Sequence, residues 1–87
     1  MSCQLTVLMA VYNGGPFLPV AIESILQQTY SDFHFLIVDD RSTDDTREVV
    51  RSYSDSRIEL LCLDKNLGQA GALNAGLRKA STPWIAR

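Results

Sequence analysis

The sequence predicts an α/β fold, a mostly parallel sheet with helices on both faces in three layers. Three observations predict it. Short continuous apolar runs of strand length recur along the 87 residues. Between them lie segments whose apolar residues repeat at helical spacing, and clusters of Gly, Pro, Asn and Asp separate the two kinds. The resulting order is strand, helix, strand, helix, strand, helix, strand, which calls for right-handed crossovers between parallel strands.

Each element has its own signal. Leu5 to Tyr12 (LTVLMAVY) is apolar on both faces and rich in strand formers, as a buried parallel strand should be. Asn13-Gly14-Gly15-Pro16 breaks it. Leu18, Ala21, Ile22, Ile25 and Leu26 then mark one face of a helix from Pro16 to about Gln28. Pro16 and Pro19 fall in its first turn, where a missing N–H costs little. Phe33 to Val38 (FHFLIV) is the second buried strand and runs into Asp39-Asp40. Ser42-Thr43-Asp44-Asp45 offers a capping box for a second helix, with Thr46, Val49, Val50 and Tyr53 on its apolar face. Ile58 to Leu63 (IELLCL) is a third strand. Asn66-Leu67-Gly68 opens a third helix with Ala70, Leu73, Leu77 and Ala80 on one face. Gly71 and Gly76 weaken that helix by about 1 kcal/mol each relative to alanine, so close packing on a strand or a ligand is the reason to keep them. Ser81-Thr82-Pro83 is a turn, and Trp84 to Arg87 begins a fourth strand.

Composition narrows the function classes. A hydrophobic content of 46% with 21% charged residues fits a globular domain rather than a disordered chain. The net charge of −2 and scattered basic residues argue against a nucleic-acid surface. No apolar run approaches the roughly 20 residues of a membrane span, and no secretory signal pattern opens the chain. A cytoplasmic location is the expectation. Cys3 and Cys62 lack the spacing of a zinc or redox pair and are read as reduced, partly buried side chains. With strands in the order 3-2-1-4, no disulfide should join them. His34 is read as an ordinary strand residue.

In an open parallel sheet, ligands bind outside the carboxyl ends of the strands, near the point where strand order reverses. Two segments put unusual chemistry there: Ala10-Val11-Tyr12-Asn13 and Val38-Asp39-Asp40. An aromatic ring can stack a base, and a carboxylate accepts hydrogen bonds from ribose hydroxyls or a base N–H. Two negative charges fit a nucleoside better than a phosphate. The spacing alone leaves open that Tyr12 is a strand-end aromatic under a loop and that Asp39 or Asp40 caps a turn. Asp44 and Asp45 are read as helix N-terminal residues rather than metal ligands. A dinucleotide module would need G-x-G-x-x-G after the first strand, and Asn13-Gly14-Gly15-Pro16 stands there instead. A phosphorylatable signalling domain would need a further strand-end phosphoacceptor aspartate. Asp64, followed by Lys65 and Asn66, has the context of an ordinary connection.

The chain resembles the family 2 glycosyltransferases, inverting enzymes with a GT-A fold, over nearly all its length. Ala10-Val11-Tyr12-Asn13 is similar to that family's P-V-Y-N. The stretch from Ser24 to Phe33 resembles S-I-L-x-Q-T-Y-x-D-F, and that from Val38 to Thr46 resembles V-D-D-G-S-T-D-x-T. Asn66-Leu67-Gly68 and Ala72-Leu73-Asn74-Ala75-Gly76 are similar to N-x-G followed by A-L-N-x-G. The order and spacing of these stretches make the resemblance specific. It implies the Rossmann-like half of a GT-A fold, truncated in strand four. It further implies transfer of a sugar from a nucleotide-diphosphate donor to an acceptor hydroxyl with inversion. Ala10, Tyr12 and Asp40 would meet the nucleoside, Asp39 would lie beside them, and the helix opening at Gly68 would line the donor side. A divalent metal, Mg or Mn, is expected through a D-x-D motif beyond Arg87. Two departures stand out. Ala10 replaces proline, and Arg41 replaces a glycine, so the loop after the carboxylates either changes conformation or gains a cation near the phosphates.

On this reading residues 1–87 are the nucleotide-sugar-binding front of a glycosyltransferase domain, ending inside its fourth strand. Such a piece is expected to be inactive alone, with no catalytic or metal-binding residue of its own, and to form a homodimer through unpaired edges. The alternative is a non-catalytic nucleotide-binding module. Donor sugar, base and acceptor are not encoded in this stretch.

Overall fold

Parallel pairing organises the chain in a computed structural model that describes residues 5–28, 32–80 and 84–86. The elements are β1 (Leu5–Val11), α1 (Phe17–Leu26), β2 (His34–Asp39), α2 (Thr46–Arg51), β3 (Ile58–Cys62), α3 (Gly68–Lys79) and β4 (Trp84–Ala86). The strands form one sheet in the order β3-β2-β1-β4. Every pairing is parallel, with Ala10 opposite Val38, Val11 opposite Asp39, and Asp39 opposite Cys62. The predicted fold class and strand order are both observed. Cys62 is a free thiol, while Cys3, like the turn at 81–83 and Arg87, lies outside the described residues. Among the described residues no helix is long and apolar enough to cross a membrane.

The pleat assigns side chains to two layers, because successive residues of a strand point to opposite faces. Val7, Phe35 and Ile37 face α1 and α2, where Leu18, Ile22, Phe33 and Val50 complete one buried cluster. Leu8, Leu36 and Val38 face α3 and form the second cluster with Ala72, flanked by Leu61, Leu63, Leu73 and Leu77. These strands are apolar on both faces because both faces are covered.

Two local expectations are corrected. The face of α3 on the sheet is Ala72, Leu73, Gly76 and Leu77, with Ala70 exposed. A Cβ on Gly76 would come within 2.3 Å of Leu8 Cδ1 and 2.9 Å of Val38 Cγ2. Leu73, Leu77 and the close approach at Gly76 lie where expected, while Ala72 rather than Ala70 completes the face. The Ser42 capping box does not form either. Ser42 Oγ donates to Asp39, and the α2 N-cap, Asp45, makes no side-chain cap bond. Asp44 takes over instead, accepting from Thr46 N at 3.0 Å. Tyr53 lies past the end of α2 and donates to Glu23 Oε2 at 3.0 Å, pinning α1.

Candidate functional site

Asp39 and Asp40 are adjacent in sequence but leave β2 on opposite faces. Asp39, fully buried on the α2 side, forms an ion pair with Arg47 and accepts bonds from Ser42 N and Ser42 Oγ. A carboxylate without solvent needs such a partner. The pairing pushes the Arg47 guanidinium above its ordinary value, with the Asp39 hydrogen bond the main cause. Arg47 also donates to Leu63 O at 3.3 Å, tying the start of α2 to the end of β3.

Asp40 takes the α3 side. Its Oδ1 accepts from Leu67 N at 2.7 Å, at the N-cap of α3, where the helix dipole favours an anion. Its backbone carbonyl accepts from Asn66 Nδ2 at 3.1 Å, and its own N–H donates to Val11 O at 2.8 Å. Among the described residues none donates a bond to Oδ2. Since no described buried polar side-chain atom is left unpartnered, that oxygen reaches solvent although the residue is only 3% exposed.

A cavity of about 270 Å³ beside it is lined by Ala10, Val11, Tyr12, Asp40 and Gln69. Ala10 and Tyr12 share a face of β1's end, and β1 lies beside β4, where the strand order reverses. The Tyr12 ring is half exposed, free to offer a face. Three of the sequence-predicted residues, Ala10, Tyr12 and Asp40, thus meet in one cavity. Gly68 lies one residue before the lining Gln69, with φ of 77° at the first turn of α3. Asp39 is not part of this lining. Sequence reasoning missed Gln69, whose signal was its place directly after Gly68 at a helix start.

The loops behind the cavity are latched together. Asn13, at φ of 50°, accepts from Thr43 N at 2.8 Å, and its N–H donates to Ser42 Oγ at 2.9 Å. Gly14 N donates to Thr46 Oγ1 at 3.1 Å. The Thr46 hydroxyl in turn donates to Asp44, which is the main reason the Asp44 carboxyl lies below its ordinary value. Arg41 has a left-handed backbone, with φ of 59°, a conformation open to glycine at no steric cost. Its guanidinium is turned to Asp64 O at 2.7 Å. A second, larger cavity of about 490 Å³ lies there, lined by Arg41, Ser42, Thr43, Arg47, Leu63 and Asp64.

At the other end of the sheet, His34 Nε2 lies 2.8 Å from Glu59 Oε1, and Lys79 Nζ lies 2.9 Å from Glu59 Oε2. Lys79 first, then His34, lowers the Glu59 carboxyl. This surface network supports the reading of His34 as a strand residue. Among the described residues no three His, Cys, Asp or Glu side chains converge to hold a metal ion.

Residues 6–87 match the profile of the family described as Glycosyl transferase family 2. An Escherichia coli protein, UDP-Glc:alpha-D-GlcNAc-diphosphoundecaprenol beta-1,3-glucosyltransferase WfgD, is 42% identical over 82 residues, covering 94% of this chain and 32% of its own. The Rhizobium meliloti succinoglycan biosynthesis protein ExoO is 40% identical over 83 residues, covering 95% of this chain and 24% of its own. The chain thus spans about a third or less of the length of these relatives. Among solved structures, the mannosyltransferase PcManGT from Pyrobaculum calidifontis, in complex with GDP-Man and Mn2+, superposes with a TM-score of 0.81 at 30% identity. It matches over 93% of this chain and 25% of its own. TarS from S. aureus, in complex with UDP-GlcNAc, gives a TM-score of 0.85 at 25% identity, over 98% of this chain and 25% of its own.

Proposed function

Because this chain belongs to glycosyl transferase family 2, we propose that residues 1–87 are the nucleotide-sugar-binding front of an enzyme that transfers a sugar from a nucleotide-diphosphate donor to an acceptor hydroxyl with inversion. The observation that carries the reading is a cavity lined by Ala10, Tyr12 and Asp40 together, with one Asp40 carboxylate oxygen bonded to Leu67 N and the other left for a ligand. In this reading Oδ2 accepts a base N–H or a ribose hydroxyl and the Tyr12 ring stacks on the base. Ala10 leaves room between them. Gly68, with no side chain and a left-handed backbone, lets the start of α3 approach the donor. Asp39 works from behind, holding the Ser42 loop and Arg47 so that Asp40 stays aimed.

The structural neighbours that bind GDP-Man and UDP-GlcNAc support a nucleotide sugar as ligand. A divalent metal, as in the Mn2+ complex, would neutralise the diphosphate leaving group in the whole enzyme. The described residues do not fit it: no donor set among them would hold it. In this reading the chain's own contribution is to hold the nucleoside, and the 87-residue piece is inactive alone. A cytoplasmic location and self-association of the piece remain part of the proposal.

Asp40→Asn tests the site. It keeps an acceptor for Leu67 N but can turn an NH2 group toward the base. Nucleotide binding should weaken by about 1–3 kcal/mol, the worth of a charge-assisted hydrogen bond. Isothermal titration with UDP and GDP measures it, and unchanged affinity moves the nucleoside elsewhere.

A further inference from the structure

Arg41 stands where the resembled pattern has glycine, and its backbone is left-handed, with φ of 59°. L residues rarely hold that conformation unless surrounding contacts impose it. The contact here is the bond from Arg41 Nη1 to Asp64 O at 2.7 Å, across 23 residues of sequence. It joins the connection after β2 to the connection after β3. Two further bonds cross the same gap, from Asn66 Nδ2 to Asp40 O and from Leu67 N to Asp40 Oδ1. Of the three, only that from Arg41 comes from a side chain that reaches out over the 490 Å³ cavity beside Asp64.

We propose that Arg41 is a positioning residue for the nucleoside cavity. By bracing Asp64 it holds the segment from Asp64 to Leu67 against Asp40, so that Leu67 N occupies Oδ1 and Oδ2 is left aimed at the ligand. Without the brace the segment moves away part of the time, and Asp40 rotates with it. Apparent affinity then falls in proportion to the fraction of molecules with the cavity formed. The proposal rests on the nucleoside reading of Asp40. It gives the arginine a role that needs no contact with the donor.

The test uses Arg41→Gly, which suits the backbone, and Arg41→Asn, which tolerates the left-handed region and lacks the guanidinium. Amide hydrogen exchange at Leu67 is followed by NMR against the core amide of Leu36, and UDP and GDP are titrated calorimetrically. In both variants Leu67 should exchange about tenfold faster, as for loss of one charge-assisted bond. Leu36 should keep its protection, and the nucleotide Kd should rise several-fold. A merely structural role would move Leu36 together with Leu67. That result, or Leu67 protection and Kd both within twofold of the parent, overturns the positioning role alone. If the unmutated protein binds neither UDP nor GDP, the nucleoside reading falls and the positioning role falls with it.

Discussion

Replacing Gly76 by alanine sets two effects of opposite sign against each other. In a helix interior alanine is favoured over glycine by about 1 kcal/mol. Here the added Cβ would lie 2.3 Å from Leu8 Cδ1 and 2.9 Å from Val38 Cγ2. Neither neighbour has room to give: Leu8 is 2% exposed and Val38 is fully buried. Val38 is also β-branched, with a stiff side chain. Forcing an extra carbon into a packed interior costs about 1–3 kcal/mol. A clash this close sits at the upper end, so packing outweighs propensity and the net loss is about 1–2 kcal/mol. In a chain of this size that lowers Tm by roughly 4–16 °C. Urea denaturation reads the free energy directly, as a lower midpoint at unchanged slope. A variant as stable as the parent would refute the seating of α3 at Gly76. Leu8→Ala should open space, so in that background Gly76→Ala should cost less by about 0.5 kcal/mol or more. Strict additivity would put the clash elsewhere.

Arg47→Leu should lower the urea midpoint clearly more than Arg78→Leu, because it strands the fully buried Asp39 carboxylate; equal shifts would deny Asp39 its partner. The Arg57 side chain holds the Asp55 carboxyl at about 2, below its ordinary value of 3.8. A depressed carboxyl stabilises the fold above its unfolded value, and that stability drains away as pH falls from near 4 through 2. Asp55→Asn should therefore cost about 1 kcal/mol at neutral pH, discounted for a surface pair, and flatten acid unfolding in that window. Parallel wild-type and mutant curves would refute the coupling. Leu5–Val7 pair with β4, whereas Leu8–Val11 have no strand partner on that side among the described residues. Phe17 and Val20 add exposed apolar surface, so light scattering of the 87-residue chain should find species above monomer mass. A strict monomer at high concentration would contradict this.

The strands and their order of alternation were legible because apolar runs and helical spacing are local properties, readable within a dozen residues. β1, β2 and β3 were each expected within a residue or so of where they lie. The chemistry at the strand ends was legible for a similar reason: Tyr12 and Asp40 close apolar runs, and a parallel sheet brings such ends to one edge. Tertiary structure decided how that chemistry is divided. Asp39 and Asp40 looked like one carboxylate pair, yet the pleat sends one to α2 and the other to α3, where entirely different partners wait. On α3, Leu73, Leu77 and the close packing at Gly76 were legible, but Ala70 was placed on the face and Ala72 was missed, because apolarity alone does not tell which alanine approaches the strands. Ser42 reads locally as a helix cap, but Asp39 and the Asn13 N–H, 29 residues away, claim it first. The brace from Arg41 to Asp64 could not be read from spacing at all. Such loop-to-loop bonds depend on which connections the sheet places side by side, and no local pattern records that.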